Sequence, residues 1–189
     1  MKRAVSLAAA FVSLAALSLA GTGADTAQPF HPGDPAPAFM LKTLDGQEFY
    51  LKDYCGKPRG PRTRQERNIV VLSFFNAECK YCKVEIPVLH DVAKKYGDFG
   101  VRFFLADIKD SRDTVAAIVA DRTYSLPVLL DEYEVVAKKY KIKALPVLVV
   151  IDREGRIAEY HTGYLPGYKQ DLEKLLKKLA LKRMTGSGS

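Results

Sequence analysis

The chain has 189 residues, 48% of them apolar, with 29 basic and 22 acidic side chains for a net charge of +7. That length and apolar content suit one domain with a sizeable core and exclude a disordered chain. Three cysteines are too few for a scaffold held together by disulfides, and the positive excess is moderate.

Met1-Lys2-Arg3 is followed by an uncharged stretch, residues 4–24, built mostly of Ala, Leu, Val and Ser and ending in small residues. This resembles a bacterial secretory signal, and we expect cleavage after Ala24, which removes Lys2 and Arg3 and leaves a net charge of +5. An uncleaved membrane anchor is the alternative, because the stretch approaches the ~20 residues that span a bilayer. No cysteine near its end offers a lipid attachment point. The expected location is therefore periplasmic or otherwise exported.

Residues 25–38 hold four prolines and read as an extended lead-in to a domain over residues 39–182. Short apolar pieces around Asp45-Gly46, within residues 39–54, predict a β-hairpin. Residues 57–67 carry five cations, one anion and two prolines. They read as a solvated basic loop, with docking of an acidic partner or anionic lipid headgroups as the alternative. Without an aromatic residue to stack on bases, the run gives no reason to expect nucleic acid.

From residue 69 the pattern alternates strand with helix. Strands are expected at residues 69–75 and 101–106, separated by a helix that begins near Cys79 and ends before Gly97. A helix over residues 111–122, capped by Ser111 or Asp110, a strand at 127–130, a helix at 132–140 and a strand at 146–151 follow. The turn at 152–155 leads into a strand at 156–160, close enough for an antiparallel hairpin. Residues 168–181 predict a helix with Leu172, Leu175, Leu176 and Leu179 on its packed face, and residues 183–189 a disordered tail.

Cys79-Lys80-Tyr81-Cys82 at a strand-to-helix junction reads as a redox device. At a helix N-terminus, Cys79 would face unbonded N–H groups that favour thiolate, which makes it the expected nucleophile. Cys82, about one turn on, can reach it to form a disulfide. In an oxidising compartment a reductant of this kind needs a supply of electrons. Cys55 lies outside the pattern and reads as an inert buried thiol, a spare resolving thiol or a docking thiol. A metal chaperone would instead coordinate copper or zinc through the pair, with help from His90, His161 or Cys55.

The order β-α-β then α-β-β-α, with Cys-x-x-Cys at the first helix and Leu145-Pro146 opening a later strand, is similar to thioredoxin. More closely, Gly33-Asp34-Pro35-Ala36-Pro37-Ala38-Phe39, Leu44-Asp45-Gly46, Leu51-Lys52-Asp53-Tyr54, Cys79 to Cys82 and Glu85-Ile86-Pro87 resemble the exported TlpA/ResA-like thiol-disulfide oxidoreductases, related to AhpC/TSA proteins. The resemblance implies a thioredoxin-like α/β fold, with a central mixed sheet flanked by helices and an N-terminal β-hairpin extension. It further implies that Cys79 attacks a substrate disulfide and Cys82 resolves the mixed disulfide. Pro146 would be a cis-proline beside the dithiol, Leu145 would offer its backbone to an extended substrate segment, and Lys80 and Tyr81 would flank the substrate. Glu85 would handle protons or tune the thiols, although as a helix residue it could equally face solvent.

By the same resemblance, the redox disulfide is the sole prosthetic device, and the partners are disulfide-containing client proteins and a membrane thiol-disulfide electron donor. The protein is expected to be a monomer, in cytochrome c maturation or a similar envelope pathway. Reversed electron flow, as a disulfide oxidase, uses the same residues. Two departures stand out. Glu78 replaces the Trp usual before the first Cys, and Ser73 stands where thioredoxin has a buried acid. The Pro-x-x-x-Thr-x-x-Cys setting of a peroxidase is missing from both Cys79 and Cys82.

Overall fold

The computed structural model describes residues 28–58 and 67–185. The secretory signal, its cleavage point, most of the basic loop and the end of the tail lie outside the described residues. Seven strands form one mixed sheet: β1 (Met40–Thr43), β2 (Glu48–Tyr50), β3 (Ile69–Phe75), β4 (Val101–Ile108), β5 (Val128–Asp131), β6 (Val147–Ile151) and β7 (Ile157–Thr162). Their spatial order is β2-β1-β5-β4-β3-β6-β7. The pairs β3–β4 and β4–β5 are parallel and the others antiparallel, so the expected mixed sheet and N-terminal hairpin are both present. β3 lies near the centre of the sheet, and all seven of its residues are buried, as an unbroken apolar run on a two-sided sheet should be.

Among the described residues, five α-helices cover the sheet: α1 (Leu51–Tyr54), α2 (Cys82–Tyr96), α3 (Arg112–Asp121), α4 (Val135–Lys139) and α5 (Tyr168–Thr185). Alternation along β3 decides what each covers. Ile69 and Val71 pack with Leu89 and Val92 of α2 and Leu172 and Leu176 of α5. Val70, Leu72 and Phe74 face the other way, toward Leu51 of α1 and Val136 and Ala137 of α4. Val115 of α3 joins Phe75, Cys79, Cys82 and Ile86 in a third cluster at the C-terminal end of β3. Burying a side chain such as Leu72 or Leu89 contributes about 2 kcal/mol each.

Several boundaries differ from the sequence reading. α2 begins at Cys82 rather than near Cys79, with Tyr81 as an N-cap that makes no side-chain cap hydrogen bond. α4 covers only Val135–Lys139, since Glu134 takes a left-handed φ of 57° that no helix can include. α5 runs on to Thr185, into the residues expected to be a tail. The lead-in is tied down over its described part: Pro35 bridges to Arg156, and Phe30 packs against Tyr140 and Tyr160. Ser111 caps α3, its hydroxyl accepting from the Thr114 N–H at 3.3 Å. The 152–155 turn closes on Gly155, φ 77°, where a Cβ would come within 2.7 Å of the Gly56 Cα, so no larger residue fits there.

Candidate active site

β3 ends at Phe75, and residues 76–81 form a loop that delivers Cys79 and then enters α2. Cys79 and Cys82 are joined in a disulfide, their Cα atoms 5.4 Å apart. Cys79 keeps 7% of its surface and Cys82 none, so only the Cys79 side can be reached by another molecule. Cys79 lies outside the helix, three residues before its first turn, but the physical argument for its thiolate survives by a shorter route. The Cys82 N–H, one of the unbonded donors at the helix start, points at Cys79 Sγ from 3.2 Å. Cys82 Sγ lies 3.9 Å from the Phe74 carbonyl oxygen and is enclosed by the cluster of Phe75, Ile86, Leu105 and Val115.

Glu85 does not face solvent. It is 2% exposed, one turn beyond Cys82 on the buried side of α2, and its Oε2 accepts from the Ser73 hydroxyl at 2.9 Å. Ser73, which stands where thioredoxin has a buried acid, is therefore the partner that holds an acid arriving from the helix. Burial pushes the Glu85 carboxyl up to about 7, and the Ser73 hydrogen bond pulls the other way. A carboxyl near neutrality can both take and give a proton.

The Leu145–Pro146 peptide is cis. The Pro146 carbonyl accepts from the Gly163 N–H at 2.8 Å, and the Leu145 side chain packs against the cluster that holds Cys79 and Cys82. Tyr81 is 62% exposed, and Lys80, Lys83 and Glu78 are exposed as well, so they form the rim beside the disulfide. A cavity of about 240 Å³ is lined in part by Asn76, Lys143, Ala144 and Leu145.

Cys55 belongs to the core. It is 2% exposed, and burial pushes its thiol up to about 12, which removes it from thiol exchange at ordinary pH. Among the described residues no group of three His, Cys, Asp or Glu side chains is placed to hold a metal ion. The cysteine pair thus has no third protein donor from His90, His161 or Cys55. No helix of the described residues is long and apolar enough to cross a membrane.

Sequence reasoning missed the residues that hold the loop. Ala77 N–H donates to Asp110 Oδ2 at 2.6 Å, and Arg122 Nη2 donates to the Ala77 carbonyl at 3.5 Å. These partners are 33 and 45 positions away. The only signal in the sequence was an Asp107-x-x-Asp110 pair at the end of an apolar strand.

The AhpC/TSA family model matches residues 32–160. Thiol-disulfide oxidoreductase ResA of Bacillus thuringiensis subsp. konkukian is 29% identical over 147 residues, 78% of each chain. Thioredoxin-like protein YneN of Bacillus subtilis is 30% identical over 148 residues, 76% of this chain and 78% of that one. Among solved structures, one assigned as the thiol:disulfide interchange protein DsbE of Chlorobium tepidum superposes with a TM-score of 0.70 at 23% identity, over 80% of this chain and 99% of that one. The chain belongs to the AhpC/TSA family and is a thioredoxin-fold thiol-disulfide oxidoreductase of the TlpA/ResA-like kind.

Proposed function

We propose that the protein works outside the cytoplasm as a reductant of disulfides in client proteins, with Cys79 attacking and Cys82 resolving. The reading rests on one observation: the two sulfurs are bonded, with Cys79 keeping 7% of its surface and Cys82 enclosed one turn before the buried Glu85 carboxyl. In the reduced protein, the Cys79 thiolate attacks a client disulfide, forms a mixed disulfide and releases one client thiolate. Cys82 then gives its proton to Glu85 and attacks Cys79 Sγ. The Cys79–Cys82 bond closes as the second client thiolate leaves. Two electrons have passed to the client, and a membrane thiol-disulfide electron donor returns them.

Leu145, beside the disulfide, presents its backbone to an extended client segment, while Lys80 and Tyr81 touch the client from the rim. Export is supported by the residue 1–24 pattern, and a place in cytochrome c maturation by the TlpA/ResA-like sequence pattern. The test is a Cys82→Ser trap: Cys79 should then hold clients as stable mixed disulfides. Recovering no apocytochrome would remove the cytochrome assignment, and recovering no cysteine-bearing client would remove the reductase reading. The reverse flow, disulfide oxidation, is separated by the equilibrium constant with glutathione, a strongly oxidising value counting against reduction.

A further inference from the structure

The loop that carries Cys79 is gripped at Ala77, and the grip leads to an acid that the chemistry above does not use. Asp110 Oδ2 takes the Ala77 N–H at 2.6 Å, and the Asp110 N–H donates to Asp107 Oδ1 at 3.1 Å. Asp107 pairs with Phe75, the last residue before the loop, and is fully buried. Its other oxygen, Oδ2, is buried without a donor. The Asp110 N–H bond to Asp107 Oδ1 holds the two acids in one turn at the end of β4. Two carboxylates only accept, so a bond between them needs a proton on one. A proton on Asp107 both satisfies its buried oxygen and removes the repulsion between the two acids.

We propose that Asp107 is a neutral carboxylic acid whose O–H donates to Asp110, and that Asp110, so held, positions the Cys79 loop through the Ala77 N–H. Asp107 and Asp110 are positioning residues, since neither is placed against the sulfurs. Burial above all, then the Asp110 charge, pushes Asp107 up to about 8. The other charges around the pair are Asp131 of β5, which adds to the rise, and Arg122 after α3, which is engaged with the Ala77 carbonyl. Asp131 is itself committed to the Val136 and Ala137 N–H groups of α4. Below about 8 the proton is present and the loop is fixed. Above it, two adjacent charges push Asp110 off Ala77, and Cys79 loses its alignment with the Cys82 N–H.

The experiment has two arms on the full chain. In the oxidised protein, carboxyl-carbon NMR reads the Asp107 titration directly, independent of any client or of the reaction proposed above. Asp107 should stay protonated through neutrality; an ordinary titration near that of exposed aspartates overturns the proposal. In the reduced protein, iodoacetamide alkylation of Cys79 is followed against pH, which rests on Cys79 being the reactive thiol. Asp107→Asn, whose amide donates at every pH, should alkylate at the wild-type rate at neutral pH and lose the wild-type break near about 8. Asp110→Ala should slow alkylation about tenfold at neutral pH, because the Ala77 N–H has lost its charged acceptor. A wild-type break that persists in Asp107→Asn, or an unchanged rate in Asp110→Ala, refutes the positioning role. If either variant fails to fold, the NMR arm alone decides whether the acid is neutral.

Discussion

Replacing Glu85 with glutamine should make the protein more stable while making it a worse catalyst, and the stability gain should depend on pH. Glu85 is 2% exposed, and its carboxyl titrates at about 7 instead of the ordinary 4.5. The folded protein therefore holds this proton to higher pH than the unfolded chain does. Stability falls as pH rises between those two values, and the full cost is present above about 7. That displacement corresponds to about 3 kcal/mol at most. The glutamine side chain never charges, and its oxygen can still accept from the Ser73 hydroxyl. Glu85→Gln should thus match wild type near pH ~4, where both side chains are neutral, and exceed it by up to about 3 kcal/mol near pH ~8. Urea unfolding of the oxidised protein at the two pH values measures this without titration of Cys79 or Cys82. A difference that is the same at both pH values, or a variant weaker than wild type at the higher one, would refute the argument that burial controls this carboxyl.

Three further outcomes follow from the same site. Ser73→Ala removes the donor that favours the charged carboxylate, so Glu85 should titrate still higher and the pH at which exchange reaches half its maximum should rise with it. A pH–rate profile that does not move would separate Glu85 from the resolving step. In the reduced, folded protein iodoacetamide should label Cys79 but leave Cys55 unmodified until urea is added, as counted by mass spectrometry; rapid labelling of native Cys55 would contradict its burial. Tyr81→Ala should change stability by less than about 0.5 kcal/mol, as expected for an exposed side chain, yet raise KM for a protein client. An unchanged KM would remove Tyr81 from the client surface.

How much of this was legible depended on how local each cause was. The run at residues 69–75 is continuous, apolar and bounded by polar sequence, and β3 has those limits. The dithiol was legible from its junction with β3, but the start of α2 was not. No Ser, Thr, Asp or Asn marks its N-cap, so nothing local says that the loop continues through Tyr81. α1 is one turn long, too short for any periodicity, and its place is set by distant rings: Tyr54 stacks on Phe49 and meets Phe104 edge-on. α4 was read too long because its N-terminal N–H groups are capped by Asp131, the last residue of β5, across a backbone turn at Glu134. Glu85 could be placed on a helix, but its face was open until Ser73, twelve positions earlier, was seen to hold it.

Family membership alone does not choose the chemistry. AhpC/TSA is also the family of peroxide-reducing enzymes, but the Pro-x-x-x-Thr-x-x-Cys environment they use is missing from Cys79 and Cys82. Here the second sulfur is bonded to the first, and of the two only Cys79 keeps exposed surface. The direction of electron flow then turns on how well the protein stabilises the reduced pair, because ~30 mV corresponds to ~1.4 kcal/mol for two electrons. In the sequence, Glu78, Lys80 and Lys83 are the charges nearest the dithiol, but all three are exposed, where water and salt weaken charge interactions. The Cys82 N–H at 3.2 Å from Cys79 Sγ and the enclosed Glu85 carboxyl act in a drier environment, so each counts for more per charge. On this argument the balance between giving and taking electrons depends more on the groups behind the disulfide, in α2 and β3, than on the exposed charges of the rim.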